Sequence, residues 1–369
     1  MTLMHAAPEF LRGVQTPRTL MLLYHRIDIA GSDPQLLSVS LRHFEEHLQV
    51  LQKYRSMRCS DLVSSDSRQN FVTNSFVITF DDGYADNLIN AEPVLRKYRT
   101  PATVFISTGM VQRRKEFWWD ALTRIIFGSQ HLPDQLELKL DKVRQWSLSD
   151  VKSPNVKVSD AKAADVKVSD ANLSDAKVTF SQTGASNPHA AWSLLSEVDP
   201  TVRHSLYREI SQFLRGASES ERERALSELS KWARQGEDDA SHCSSLTEEQ
   251  VIELAHSDLI EIGSHSVNHP VLSALTAAEQ RSELLSSKNY LEDLLGRQIL
   301  GFAYPYGTRT DYTPETVSIA KEVCYRYACS NIAEVVWPGT DRFQAPRLLV
   351  RDCDGDYFED WISQWYGES

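Results

Sequence analysis

Residues 76–84 read Phe76-Val-Ile-Thr-Phe-Asp-Asp-Gly-Tyr84, an apolar run that leads directly into two adjacent carboxylates and a glycine. The β-branched and aromatic residues predict a buried strand, and the glycine predicts a tight turn at its end. Side chains alternate along a strand, but a turn at the strand end can bring both carboxylates to one pocket. Their mutual repulsion is relieved if one binds a cation while the other stays free to accept a proton. Taken alone, Asp-Asp-Gly is also the sequence of many plain turns.

Other short apolar runs predict further strands of the same kind. They are Leu20–Tyr24, Ala102–Ile106, Leu259–Ile262, Leu300–Tyr304, Tyr325–Cys329 and Leu348–Val350. Helical spacing of apolar residues lies between them at Leu41–Leu51, Leu88–Tyr98 and Ala277–Leu295. Strands that alternate with helices predict an α/β architecture built on a mostly parallel sheet.

The alternation breaks between about residues 115 and 245, which we call the insertion. It opens on Phe117-Trp118-Trp119, and residues 206–234 have helical spacing with charged faces. Residues 156–165 and 166–175 form a tandem decapeptide repeat, VKVSDAKAAD and VKVSDANLSD, which predicts an exposed, tolerated loop. The sequence therefore predicts two halves of one α/β unit, residues 1–114 and 246–369, split by a largely helical insertion, residues 115–245.

Composition excludes several classes of function. The 369 residues carry a formal net charge of −12 with no basic patch, which argues against a nucleic-acid partner. No signal peptide or transmembrane stretch is visible, so we expect a cytoplasmic protein, of undetermined oligomeric state. The odd number of scattered cysteines fits reduced thiols; these are Cys59, Cys243, Cys324, Cys329 and Cys353.

A second informative stretch is Glu261-Ile-Gly-Ser-His-Ser-Val-Asn-His-Pro270, which again follows an apolar strand. Its two histidines lie four positions apart, so both imidazoles can converge on one ion. Asp82 would complete a set of two histidines and one carboxylate that leaves positions open for water. An isolated histidine is usually a packed or surface residue, but His-x-x-x-His-Pro at a strand end is harder to explain by packing.

A third stretch, Phe302-Ala-Tyr-Pro-Tyr-Gly307, joins a strand to a rigid proline and a glycine. It can form a pocket wall of aromatic faces on which a sugar stacks. Equally, it can form a packed turn.

In this order, the three stretches resemble the motifs of the polysaccharide deacetylase family, which carries the NodB-homology domain and is also called carbohydrate esterase family four. Leu22-Leu-Tyr-His-Arg-Ile27 and Phe343-Gln-Ala-Pro-Arg-Leu348 are similar to its opening and late segments. The resemblance covers about residues 18–110 and 246–356. The Trp-rich insertion is similar to that of a bacterial subgroup linked to surface-polysaccharide synthesis.

The resemblance implies a deformed (β/α) barrel of about seven strands with its site at the carboxyl ends of the strands. It implies Asp81 as catalytic base and a divalent metal, zinc with cobalt or nickel as substitutes, held by Asp82, His265 and His269. The implied reaction removes an N-acetyl group from an N-acetylhexosamine-containing glycan or glycan precursor and releases acetate. The expected substrate contacts are Tyr84, Tyr304, Pro305 and Tyr306.

Two departures from the family pattern need replacements. The family places an arginine two residues before its Pro-Tyr-Gly to orient the base, but this chain has Ala303 there. We expect the bidentate fork of Arg347, or else of Arg351, to hold Asp81 instead.

The second departure concerns the general acid, because no histidine follows His269. His25, at the end of the first predicted strand, is the candidate, since the first and last strands of a closed barrel are neighbours. The alternative is that His25 packs beneath the sheet. Asp352 and Asp354 are further candidates.

Two other functions use the same residues. The metal site also suits an O-acetyl ester or a cyclic amide as substrate, because the same hydroxide attacks either bond. A catalytically silent carbohydrate-binding or scaffold protein would use Trp118, Trp119 and the aromatic turn for sugar contact. All four metal and base positions are filled, which favours an enzyme.

Overall fold

The structure is a computed structural model that describes residues 4–8, 18–29, 31–63, 74–139, 142–148, 189, 191–234 and 245–368. The predicted repeat at 156–175 and Cys243 lie outside these residues.

Strands and helices alternate through most of the described chain. The strands are β1 (Thr19–Tyr24), β2 (Arg26–Ile27), β3 (Ser38–Val39), β4 (Arg55–Ser56), β5 (Ser75–Phe80), β6 (Ala102–Ile106), β7 (Gln135–Lys139), β8 (Val143–Ser147), β9 (Ile260–Ser264), β10 (Gly301–Ala303), β11 (Tyr327–Cys329) and β12 (Leu348–Leu349). The α-helices are α1 (Leu41–Leu51), α2 (Glu92–Lys97), α3 (Thr108–Arg113), α4 (Trp118–Thr123), α5 (Val202–Gly216), α6 (Glu219–Trp232), α7 (Glu248–Ala255), α8 (Ala277–Leu295), α9 (Pro314–Glu322) and α10 (Gly355–Tyr366). None of these helices combines the length and the apolar composition that a membrane span requires.

The main sheet is parallel, in the order β11-β10-β9-β6-β5-β1-β12, and β4 pairs with the start of β5. Its two edges approach each other, because β12 pairs with β1 while Ala345 forms a parallel bridge to Cys329 of β11. The predicted α/β architecture with about seven parallel strands is confirmed.

Alternation along β5 explains why the site lies where it does. Phe76, Ile78 and Phe80 pack in the cluster between the sheet and its helices, whereas Val77 packs in the smaller cluster inside the curled sheet. The same alternation turns Thr79 and Asp81 towards the inside. The carboxyl end of β5 therefore delivers Asp81 over the barrel interior.

The described part of the insertion has its own hydrophobic cluster, which includes Leu122, Ile125, Leu206 and Ile210. It is not wholly helical, since β7 and β8 form an antiparallel hairpin in which Leu136 and Leu138 are the buried residues.

The predicted helical stretch 206–234 is two helices, α5 and α6, rather than one. Ser218 separates them because it caps α6 reciprocally with Glu221. The division of the chain into two barrel halves and an insertion stays a prediction.

Gly263 on β9 is a position where the barrel interior allows no side chain. A Cβ atom there would lie 2.3 Å from Cδ1 of Phe105 on β6. We expect Gly263→Ala to displace Phe105 and to lower the free energy of unfolding by about 1–3 kcal/mol, the usual cost of overpacking. Thermal unfolding measures this, with Gly216→Ala as control because a Cβ at Gly216 meets no atom within 4 Å. An unchanged melting temperature for Gly263→Ala would contradict the close approach.

Candidate metal centre

Four ionisable side chains meet at the carboxyl ends of β5 and β9. Asp81 and Asp82 follow β5, His265 follows β9, and His269 lies four residues further on. All four are buried, with at most 5% of each residue exposed. Because β5 and β9 are parallel and separated only by β6, their ends lie at one edge of the sheet.

Asp82, His265 and His269 each direct one donor atom to a common point. Asp82 Oδ1 lies 3.6 Å from His265 Nε2 and 3.4 Å from His269 Nε2. The three donor atoms all lie within 4.8 Å of one another. Two ligands about 2.1 Å from one tetrahedral ion are separated by roughly 3.4 Å, so these distances fit a shared cation.

The surroundings of the Asp82 carboxylate also fit a bound cation. Asp82 Oδ1 is buried and has no hydrogen-bond partner among the described residues. Burial, and then the charges of Asp81 and Asp120, raise the pKa of Asp82 well above its ordinary value. A cation would relieve that unfavourable environment. Asp82, His265 and His269 therefore form a possible metal site.

Both histidines are in the form that binds metals. Burial lowers the pKa of His265, and it lowers that of His269 further with the help of the neighbouring His265 and Arg222. The imidazoles of His265 and His269 are therefore neutral. His265 Nδ1 lies 2.8 Å from the carbonyl of Ala303, which can only accept, so Nδ1 donates and Nε2 keeps its lone pair for a metal.

Backbone strain is concentrated in this region. Asp82, Ser266, His269 and Tyr306 all adopt positive φ, between 50° and 75°. Each such conformation costs a non-glycine residue on the order of 1 kcal/mol and persists only where the surrounding contacts enforce it. For Asp82 the left-handed turn breaks the strand alternation, which lets its carboxylate share a pocket with that of Asp81.

The guanidinium of Arg347 forms a bidentate pair of hydrogen bonds with the carboxylate of Asp81. Nη1 donates to Oδ1 and Nη2 to Oδ2, each at 2.7 Å. Arg347 is fully buried and also donates to the carbonyl of Ser330 and the hydroxyl of Thr79. Burial would raise the pKa of Asp81, but the charge and hydrogen bonds of Arg347, together with the nearby His265, outweigh it and hold that pKa below its ordinary value.

The structure thus brings together the pair that the sequence proposed, and the catalytic roles of the two residues stay predictions. The other candidates point elsewhere. Arg351 donates to the carbonyls of Gln35 and Leu36. Asp352 binds His43, and Asp354 caps α10.

His25 lies directly after β1, close enough to Asp81 and Arg347 to feel both charges. Its Nδ1 is buried without a hydrogen-bond partner in the described chain. Burial lowers the pKa of His25 to about 3, while Asp81 acts in the opposite direction. His25 is therefore a neutral imidazole that interacts electrostatically with Asp81, and its role as an acid stays a prediction.

The predicted substrate wall needs a correction. Tyr304 is buried, stacks on Tyr312, and donates its hydroxyl to the carbonyl of Phe343. Tyr84 is also buried and donates to Asp120. Neither side chain is available to a sugar.

Strand parity explains the error at Tyr304, because this residue shares the outward face of β10 with Phe302, whereas Ala303 faces inward. Pro305 is buried as well. Of the four predicted contacts, the half-buried Tyr306 is the one whose ring lies beside a metal-site residue, 4.6 Å from His269.

Residues of the insertion also border the centre, which the sequence did not predict. Trp119 packs against His269 with ring centroids 5.1 Å apart, and the buried Arg222 donates to the carbonyl of His269. Trp118 and Trp119 are buried, so they offer no open face for a sugar. The Phe-Trp-Trp-Asp run in the sequence indicated an aromatic contribution from the insertion. No sequence feature distinguished Arg222 from the other charged residues of its helix.

Comparison with known proteins identifies relatives. The family model for polysaccharide deacetylase matches residues 68–132 and 227–328. A putative polysaccharide deacetylase of Bacillus subtilis (strain 168), YxkH, is 35% identical over 91 residues, which are 23% of this chain and 30% of that protein. The match thus spans less than a third of the curated relative.

Two solved structures have the same fold. The Streptococcus pyogenes deacetylase PplD, in complex with acetate, gives a TM-score of 0.53 at 15% identity and covers 94% of this chain and 99% of that one. IcaB from Ammonifex degensii gives 0.53 at 17% identity and covers 96% and 98%. These matches confirm the predicted (β/α) barrel.

We expect the purified protein to bind one equivalent of Zn²⁺ or Co²⁺, and His265→Ala to weaken that binding at least ~100-fold, since it removes one of three ligands. Competition with a chromophoric chelator measures the affinity. His47→Ala is the matched control, because His47 is an equally buried histidine that bonds the carbonyl of Cys353 on the helix side of the sheet. Wild-type affinity in His265→Ala would contradict the assigned site.

Proposed function

We propose, from its similarity to the polysaccharide deacetylases, that this chain is a metal-dependent hydrolase that removes an N-acetyl group from an N-acetylhexosamine-containing glycan or glycan precursor. One observation supports this most strongly. Three donor atoms from two strand ends converge beside Asp81, whose carboxylate is held by Arg347. A possible metal site and a carboxylate that could act as the base lie together, and this supports the proposal.

Asp82, His265 and His269 would hold the divalent ion, and we propose zinc, because two imidazoles and one carboxylate with open positions are a common catalytic zinc set. Cobalt and nickel suit the same donors. Bound there, such an ion supplies a Lewis acid and lowers the pKa of a water from about 16 towards 7.

Asp81 is the proposed general base. Its fork to Arg347 uses one acceptor position on each oxygen, which leaves others for a proton. Arg347 keeps the pKa of Asp81 low, so the carboxylate is ionised and ready to accept a proton at neutral pH. The same fork fixes the direction in which the carboxylate points, which is the positioning role that the missing arginine at Ala303 would otherwise perform.

His25 is the proposed acid for the departing amine. It is neutral before the reaction, because burial lowers its pKa to about 3. Negative charge that develops on the attacked carbonyl oxygen would raise the pKa of a nearby imidazole, so His25 would take up a proton from solvent at that stage and pass it to the departing amine. Asp81 would keep the proton of the attacking water until the products leave. A backbone amide at Tyr84 or Tyr306 is proposed to donate to that oxygen.

Acetate release from N-acetylated amino sugars tests the proposed reaction. We expect Asp81→Asn to lower kcat by about 10²- to 10⁴-fold while metal binding persists, because a general base contributes that much. Asp199→Asn is the control, since Nε and Nη2 of Arg208 donate hydrogen bonds to the carboxylate of Asp199 away from the site. Cleavage confined to acetyl esters or cyclic amides would replace the proposed substrate while keeping the site.

The pH dependence of turnover tests Arg347. Without its charge, burial raises the pKa of Asp81, so a higher pH is needed to ionise the base. We expect the acidic limb of the kcat/KM profile to move to higher pH in Arg347→Met and to move less in Arg347→Lys, which keeps a cation. Thermal unfolding checks that both variants fold. An unmoved acidic limb in Arg347→Met would remove Arg347 from the mechanism.

The alkaline limb of the kcat profile tests His25, because kcat reports the ionisable groups of the enzyme–substrate complex. An acid must carry its proton, so activity falls as pH rises through its pKa in the complex. His25→Gln should lose this limb, and its retention would show that another group protonates the amine.

A further inference from the structure

The two metal-site histidines are held in different ways. His265 is oriented by the bond from its Nδ1 to Ala303. His269 Nδ1 is buried but has no hydrogen-bond partner in the described part of the chain. Metal-binding histidines usually have such a bond, which fixes the ring and its basicity. The packing around the ring of His269 therefore matters more for its orientation than it does for His265.

Aromatic rings enclose His269. Trp119 lies 5.1 Å from it, Tyr306 4.6 Å and Phe117 6.4 Å, all edge-on. Two of these rings come from the insertion, and they stack on each other with centroids 4.7 Å apart. Trp119 is fixed in turn, because its indole N–H donates to the Tyr84 hydroxyl at 2.7 Å. The insertion thus supplies two of the rings that limit the rotation of the His269 ring, and Tyr306 and His265 supply the others.

The backbone of the loop that carries His269 is clamped from two sides. Glu283 of α8 accepts from the amides of Val267 and Asn268 at 2.8 and 2.9 Å. From the opposite side, Arg222 of α6 donates to the carbonyls of Asn268 and His269 at 3.2 and 3.4 Å. The barrel therefore holds the loop amides and, through the amides of Thr108 and Gly109, the carbonyls of Ser266 and Val267. The insertion holds the carbonyls of Asn268 and His269.

Arg222 is fixed in place by the insertion itself. It is 3% exposed and also donates to the carbonyls of Leu214 and Arg215, where α5 ends. Its guanidinium thereby joins the end of one insertion helix to the His269 backbone. His269 adopts a φ of +50°, a conformation that persists only where contacts of this kind enforce it.

We propose that the insertion completes the metal centre: Trp119 and Arg222 are positioning residues that hold His269 for metal binding. This rests on the proposed function, since it requires the site to bind a metal. Without Arg222 the loop loses two bonds to its carbonyls, and without the Trp119 ring His269 can rotate away from Asp82. Metal affinity then falls although all three ligands are present.

Metal binding by the full-length, metal-free protein tests the proposal, with Co²⁺ and Zn²⁺ as probes. Arg222→Met and Trp119→Leu should raise the Kd about 10- to 100-fold, the usual effect of removing a residue that supports a ligand. The visible absorption of bound Co²⁺ should also change, because it reports the geometry of the ligands. Arg222→Lys, which keeps a donor and a charge, should recover part of the affinity.

Two matched controls separate positioning from general stability. Arg203→Met removes another insertion arginine that bonds backbone carbonyls, those of Ser129 and Gln130, away from the site. Trp192→Leu removes another buried insertion tryptophan, which packs on Phe127. Both should lower the melting temperature of the metal-free protein while leaving the Kd within about twofold of wild type, well inside the effect expected of a supporting residue.

The outcomes are distinct. Wild-type Kd and an unchanged cobalt spectrum in Arg222→Met and Trp119→Leu would overturn the positioning role and leave the proposed function intact. Equal weakening by the controls would also overturn it, because any loss of insertion stability would then suffice. Failure of the wild-type protein to bind either metal would overturn the proposed function and this inference with it.

Discussion

Burial of two adjacent carboxylates is the constraint on which the site depends. Asp81 and Asp82 are both almost completely buried at one strand end, where each raises the cost of ionising the other. Arg347 compensates Asp81 and holds its pKa low, and the pKa of Asp82 stays high. One carboxylate is thus satisfied by the protein, and the other is prepared for a cation. In the proposed function, that asymmetry separates the base from the ligand in a pair of identical side chains.

The backbone creates this asymmetry before any long-range contact does. Strand alternation turns Asp81 into the barrel, and the left-handed turn at Asp82 brings the next carboxylate to the same side. Compensation then comes from distant parts of the chain: Arg347 lies 266 residues after Asp81, and the histidines follow a strand two positions along the sheet. Packing of a parallel barrel brings these segments to one edge, so the fold itself brings the charged and ionisable side chains of the site together.

The sequence predicted what local pattern controls. Apolar runs located the main strands to within about two residues, and motif chemistry identified the three metal-site residues that the structure brings together. Prediction failed at Tyr304, because neighbouring residues of a strand face opposite sides of the sheet and a shift of one residue reverses the direction of the side chain. The ring of Tyr304 packs in the core rather than at the pocket. Prediction also failed at β7 and β8, because the alternation around Leu136 and Leu138 lay inside a segment read as helical. Arg222 was beyond reach, since its partners are backbone carbonyls up to 47 residues away.

The contacts of Arg222 suggest why the barrel needs the insertion. The family model matches residues 68–132 and 227–328, so Trp119 lies within the matched part, whereas Arg222, His25 and Arg347 lie outside it. The barrel already satisfies two amides of the His269 loop through Glu283 and the carbonyls of Ser266 and Val267 through its own amides. The carbonyls of Asn268 and His269 accept from the insertion. A buried carbonyl without a donor costs about 1–3 kcal/mol, so a barrel that lost the insertion would have to expose that loop to water or rebuild it. Once a guanidinium from the insertion supplies those donors, the fold of the insertion and the geometry of the metal centre are thermodynamically coupled.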